Sequence, residues 1–152
     1  MKTTGLSLLF FAFAALMALD CAPRFTAVKP EGFAAYPEGA TFRAVSHDKI
    51  VYRVRTLENQ PYAEFAFWKE ALIKRMTAAG YRIISDSIVT LSKKDALLLE
   101  MAAPIEESDY SYMVAMAVNE KKILIAEAAG KVEPFQKKKG SIIKAITAIV
   151  IK

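Results

Sequence analysis

Histidine and cysteine are almost missing: the 152 residues hold one of each, His47 and Cys21. A single cysteine excludes an internal disulfide and a thiolate-rich zinc site. A single imidazole excludes a multi-histidine metal centre. Any Ser-His-Asp or Cys-His triad would need His47 as its base. That residue stands in Ser46-His47-Asp48-Lys49, a polar stretch that reads as an exposed hairpin tip. The sequence has no nucleophile elbow and no phosphate-cradling glycine loop. Of the enzyme classes, a hydrolase using a serine or a carboxylate pair is what remains. The acidic stretch Glu106-Glu107-Ser108-Asp109 lacks the spaced ligands of a calcium loop. No metal and no cofactor are therefore expected. Internal repeats and low-complexity blocks are absent too.

Charge is nearly balanced. Lys and Arg number 21 against 16 Asp and Glu, a net +5. This mild basicity suits a surface facing anionic lipid or an anionic envelope polymer, and equally a coat of solvated lysines. No nucleic-acid partner is expected.

The N-terminus is where the sequence is most specific. Met1-Lys2-Thr3-Thr4 is short and basic, and Gly5 to Leu19 carries no charge. A secretory signal has this order, with an apolar stretch of roughly 7–15 residues. A membrane-spanning helix needs about 20 apolar residues, so an uncleaved anchor is the second reading. Cys21 follows the apolar run directly. Ala18-Leu19-Asp20-Cys21 resembles a bacterial lipobox, with Asp20 where a small residue normally stands. The resemblance implies cleavage after residue 20 and acylation of Cys21 as the mature N-terminus. Stable anchoring takes more than one acyl chain, and the lipoprotein modification supplies three. Ala22 at the next position resembles lipoproteins sorted to the outer membrane, on its periplasmic side, if the source is Gram-negative.

Residues 21–39 read as a tether rich in Pro and Gly, which oppose helix and favour extension. Phe25, Phe33 and Tyr36 are its candidates for packing back onto a domain spanning 40–152.

That domain opens with a hairpin over Ala40–Thr56. Strand side chains alternate between faces. A three-residue loop at His47-Asp48-Lys49 pairs Ser46 with Ile50. Phe42 then opposes Val54, Ala44 opposes Tyr52, Arg43 opposes Arg53 and Thr41 opposes Arg55. Like charges directly opposite are unfavourable unless neutralised. Arg43, Arg53 and Arg55 are thus candidate contacts for an anion or partner, or else pair with the domain's own carboxylates.

Pro61–Ala79 reads as a helix, with Pro61 at its first position and Glu64 in its first turn. Phe65, Trp68, Leu72, Met76 and Ala79 form one apolar stripe, and Gly80 is the stop. Four strands follow: Tyr81–Leu91, Ala96–Ala103, Tyr110–Val118 and Lys122–Ala129. Ser92-Lys93-Lys94-Asp95 turns between the first two and Asn119-Glu120-Lys121 between the last two. Both faces of Tyr110–Val118 are mostly apolar, so the central strands call for a cover on each side. A second helix opens at Pro134, with Phe135, Ile142, Ile143, Ile146 and Ile149 as its stripe. Gly140 is a point of bending or splitting, with Ser141 as a new N-cap. Lys137, Lys138 and Lys139 form a charge run that reads as a solvated helix start or as candidate contacts for an anionic membrane surface or partner.

The expected class is α+β: an N-terminal hairpin plus a four-strand meander in one antiparallel sheet, flanked by two helices. The element order, the Phe65-x-x-Trp68 helix, Gly80-Tyr81 and Ala129-Gly130 together resemble the PsbP/DcrB-like sandwich family. The resemblance covers Ala40 to Ile149. It implies a non-enzymatic, extracytoplasmic or accessory protein; with the N-terminal signal, the leading expectation is a lipid-anchored binding or accessory protein that engages an envelope protein or an anionic lipid or polymer. A soluble periplasmic carrier of a small hydrophobic ligand is the alternative, since a sheet apolar on both faces can hold one, with a hydrolase behind it.

Overall fold

The computed structural model describes residues 25–36, 38–104 and 109–152. The expected signal, Cys21 and residues 106–108 of the acidic stretch lie outside the described residues. Along the chain run β1 (Phe25–Thr26), β2 (Phe33–Ala35), β3 (Phe42–Ser46), β4 (Val51–Glu58), α1 (Phe65–Ala78), β5 (Arg82–Leu91), β6 (Lys94–Ala102), β7 (Tyr110–Val118), β8 (Lys122–Lys131), α2 (Val132–Thr147) and β9 (Val150–Ile151). Seven strands form one antiparallel sheet in the order β2-β3-β4-β8-β7-β6-β5, and β1 pairs with β9 in a second, two-stranded sheet. Among the described residues no helix is long and apolar enough to cross a membrane.

The hairpin register follows from its side-chain pattern. Phe42 pairs with Val54, Arg43 with Arg53 and Ala44 with Tyr52. The Ser46 amide donates to the Ile50 carbonyl at 3.0 Å, and Lys49 closes the loop at φ 61°. A slip of one residue would have carried Tyr52 and Val54 out of the core; both are fully buried.

Residues 25–35 do not hang free as a tether. Phe25 and Phe33 are buried, β1 pairs with the C-terminal strand, and β2 extends the main sheet beyond β3. Burying two phenylalanines outweighs the Pro/Gly preference for a solvated chain, at about 1.5–3 kcal/mol each. Tyr36 stays exposed.

Both helices depart from their expected starts. Pro61 precedes α1 instead of opening it, and Glu64 is the N-cap, outside the first turn. The turn between β5 and β6 is tighter than four residues. Ser92 and Lys93 take positive φ, 51° and 65°, and Lys94 and Asp95 already belong to β6. Such mirror-image turns match the twist of a hairpin's strands. Gly140 does not split α2, and Ser141 is not a new cap. Its hydroxyl donates to the Lys138 carbonyl within one continuous helix. Packing on the sheet holds that helix through its glycine.

The sheet buries both faces, unequally. On one side Phe135, Ile142, Ala145 and Ile146 of α2 are buried over Tyr52, Val54, Leu98, Met113, Leu124 and a floor of Ala115, Ala126 and Ala128. Small floor residues let that helix sit close. On the other side Phe65, Trp68, Leu72, Ile73 and Met76 of α1 rest on Leu97, Leu99, Met101, Val114, Met116, Ile123 and Ile125, yet no residue of α1 is fully buried. The bulky floor props the helix away.

This asymmetry sets an expected result. Ile146→Ala should cost about 3 kcal/mol, because it opens a cavity in a close-packed layer. Leu72→Ala should cost about 1 kcal/mol, since its side chain is partly wet in the native state. Urea unfolding midpoints of the two variants check the ranking.

Candidate functional site

The space left under α1 is a cavity of about 610 Å³. Its floor is built by period-two alternation on three neighbouring strands. Arg55 and Leu57 come from β4, Ile123, Ile125 and Glu127 from β8, and Tyr112, Val114 and Met116 from β7. Register places Arg53 beside Glu127 and Glu127 beside Val114; one row along, Arg55 lies beside Ile125 and Ile125 beside Met116. The roof is the inner side of α1, from Trp68 through Leu72 to Arg75, Met76 and Ala79. The volume falls within the roughly 300–1,000 Å³ of small-molecule sites, which are mostly apolar with a few convergent polar groups.

The polar groups gather at one corner around Glu127. Arg53 donates to Glu127 Oε2 through Nε at 2.7 Å and approaches it through a second nitrogen at 2.5 Å. Tyr112 donates its hydroxyl to Oε1 at 2.7 Å. The Arg55 guanidinium reaches Oε1 only at 3.5 Å, at the limit of a hydrogen bond. Its Nε–H is buried and meets no acceptor among the described residues. Glu127 is 8% exposed. Burial pushes its carboxyl up, but the Tyr112 hydrogen bond and the two arginines outweigh this and hold it below the usual carboxylate range. Burial, then the neighbouring Glu127 charge, pushes the Tyr112 phenol up, so it stays a neutral donor. The Tyr81 ring lies 5.4 Å from the Tyr112 ring.

At the opposite end Asn59 fixes the cavity roof. It is 1% exposed. Its Oδ1 accepts from Trp68 Nε1 at 2.7 Å and from the Ala63 amide at 3.1 Å, and its Nδ2 donates to the Ala63 and Asn119 carbonyls. One side chain thus ties the start of α1 to the β7–β8 turn. Neither Asn59 nor Glu127 stood out in the sequence. An Asn beside Gln-Pro reads as a loop, and a Glu in an Ala-rich strand gives no sign of what lies across from it.

The sequence-derived candidates separate. Arg43, Arg53 and Arg55 share the α1 side of the sheet, and Arg43 lies 3.1 Å from Glu38. The domain's own carboxylates therefore take the charge of Arg43 and Arg53. The three lysines belong to α2, on the far side, and each has a different neighbour. Lys137 pairs with Glu133 at 2.8 Å along the helix. Lys138 extends over Gly32, where an added Cβ would meet its Nζ at 2.6 Å. Lys139 pairs with Glu100, which is 4% exposed and also accepts from Gln136 at 2.8 Å. Burial raises the Glu100 carboxyl, but Lys139 and Gln136 bring it below the ordinary range. Glu100 and Glu127 lie under different helices. Both are held ionised, unlike an acid and base with pKa values pushed apart. His47 stands at the hairpin tip with its side chain 79% exposed, 3.0 Å from Asp48.

No protein-family model matches the sequence, and no curated protein matches it. Solved structures do. LpqN of Mycobacterium tuberculosis, described as involved in cell envelope biogenesis, superposes with a TM-score of 0.69 at 11% identity, covering 90% of this chain and 87% of that one. The cyanobacterial PsbP (CyanoP) of Synechocystis sp. PCC 6803 gives 0.63 at 9% identity, covering 85% and 87%. PA94 of Pseudomonas aeruginosa, a protein of unknown function, gives 0.62 at 11% identity, covering 79% and 97%. At these identities the likeness is one of fold: a PsbP-like α/β sandwich.

Two results follow from the site's construction. Glu127→Gln should destabilise the protein by about 2 kcal/mol at neutral pH, the scale of a charge-assisted hydrogen bond. The native pKa of Glu127 is depressed, so its contribution is present above the unfolded value near 4.3 and is lost as pH falls through the native value. The stability gap between wild type and variant should therefore close below about pH 4, as chemical denaturation across pH would read. Asn59→Ala removes four hydrogen bonds from a buried clamp and should cost at least about 2 kcal/mol. Its Trp68 emission should shift to longer wavelength as the start of α1 loosens.

Proposed function

We propose that this chain is a lipid-anchored, extracytoplasmic accessory protein of the bacterial envelope that binds a small apolar molecule under α1, without chemistry of its own. The observation that carries the reading is the cavity itself. A helix over an apolar sheet face normally closes down on it, as α2 does. Here α1 instead leaves about 610 Å³ lined by Trp68, Leu72, Met76, Val114, Met116 and Ile125. Emptying such a space would favour collapse, whereas an apolar ligand would bury its surface at about 25 cal/mol per Å².

The anchor rests on the sequence: an apolar run ending at Cys21, with the folded domain starting only a few residues later at Phe25. That short interval would hold the domain close to a membrane. The envelope location agrees with the involvement of LpqN in cell envelope biogenesis. A surface that recruits partners through Arg43, Arg53 and Arg55 is less favoured, because Glu38 and Glu127 already engage Arg43 and Arg53.

Native mass spectrometry of the protein purified from its membranes tests the ligand, and intact mass beside a Cys21→Ser variant tests the anchor. The reading expects a co-purifying mass lost on denaturation, and an acylated N-terminus at Cys21 whose removal releases the protein from membranes. A bare native mass that no added amphiphile changes would sink the binding role. A soluble, unacylated wild type would sink the anchor.

A further inference from the structure

The cavity is chemically polarised. Trp68 and the start of α1 mark one end, beside Leu57 and Ile123; Arg75, Tyr81 and Tyr112 mark the other, beside Glu127 and Arg55. Ile123 and Glu127 are four residues apart on β8, about 13 Å along a strand. Between these ends the lining is aliphatic: Leu72, Met76, Val114, Met116 and Ile125.

The charged lining residues are Arg55, Arg75 and Glu127. The carboxylate is already committed, since Arg53 and Tyr112 hold it at 2.5–2.7 Å. Arg55 is not equally committed. Its contact with Glu127 is 3.5 Å, and its buried Nε–H has no acceptor among the described residues. The Arg55 side chain keeps 31% of its surface accessible and lines the cavity, so its guanidinium can take an incoming acceptor. Arg75 projects from the last turn of α1 into the same end. Guanidinium groups match carboxylate and phosphate oxygens in a fork geometry. A cationic headgroup would find Glu127 occupied and meet two arginines.

We propose that the cavity takes a single-chain anionic amphiphile, its acyl chain lying between α1 and the sheet and its carboxylate or phosphate head held by Arg55 and Arg75. The proposal rests on the cavity reading given above and adds the headgroup class. Glu127 is a positioning residue: it holds Arg53 in place and leaves Arg55, at 3.5 Å, among the cavity's lining residues. The chain end of the ligand lies near Trp68, whose indole is already fixed by Asn59. The protein therefore carries its own reporter, as Trp68 is its one tryptophan.

The experiment titrates the purified protein with dodecanoate, dodecyl phosphate, dodecanol and dodecyltrimethylammonium, each below its micelle concentration, following Trp68 emission. Both anionic probes should bind at least tenfold more tightly than dodecanol, and the ammonium probe more weakly still. Arg55→Gln with Arg75→Gln should remove the anion preference, so that neither anionic probe binds more tightly than dodecanol. Arg75→Glu alone, at an exposed helix position that does not threaten folding, should turn the preference toward the ammonium probe. Equal affinity for all four probes, or an anion preference that survives both variants, would overturn the headgroup assignment and leave the apolar site standing. Failure of every probe to bind would overturn the site and the proposal together.

Discussion

A sheet that is apolar on both faces cannot stand alone in water, and the rest of the molecule follows from covering it. β7 and β8 lie at the centre and bury side chains in both directions. Each face needs its own layer, and the chain supplies α1 before the central strands and α2 after them. The outer strands follow the same requirement. β2 and β1 are drawn in because Phe25 and Phe33 help to close the α2 side. The C-terminal strand pairs with β1, so the two ends of the described chain meet on the α2 side of the core.

The two covers differ because their floors differ. Alanines at 115, 126 and 128 lower the floor under α2, and its isoleucines fill the resulting trough. On the other face leucine, methionine, valine and isoleucine raise the floor, and α1 answers with large side chains that touch without being enclosed. Asn59 anchors the start of the helix, and Tyr81 returns the chain to the sheet beyond its end. Between those points the helix is held by partly exposed contacts, the kind of element that opens at lower free energy than a core. A loosely covered layer and a close-packed layer are thus separated by one sheet.

The polar corner is a consequence of strand pairing. Arg43 and Arg53 are forced opposite one another by the hairpin register, and two like charges in direct opposition are stable only with a counter-charge. Glu127 arrives on the other side of Arg53 because β8, and not a neighbour in sequence, is the next strand. It neutralises Arg53 more fully than Arg55. The less fully neutralised Arg55 lines the cavity beside it.

Alternation of side chains determined the hairpin, its three-residue loop and the pairs Phe42–Val54 and Ala44–Tyr52, because a strand exposes its pattern locally. The stripe from Phe65 to Met76 and the isoleucines of 142–146 determined the two helices for the same reason. The two-faced apolar strands determined that two layers were needed. Local propensity misled where long-range contacts won: Pro61 against the start of α1, Gly140 against the continuity of α2, and prolines against the pairing of residues 25–35. Tertiary structure alone decided which strands became neighbours, and so which charges met. Arg53 and Glu127 are 74 positions apart, as are no residues that a periodicity can relate. The cavity belongs to that second class as well. Its volume depends on how high two sets of side chains hold a helix above a sheet, a distance that exists only once both have been brought together.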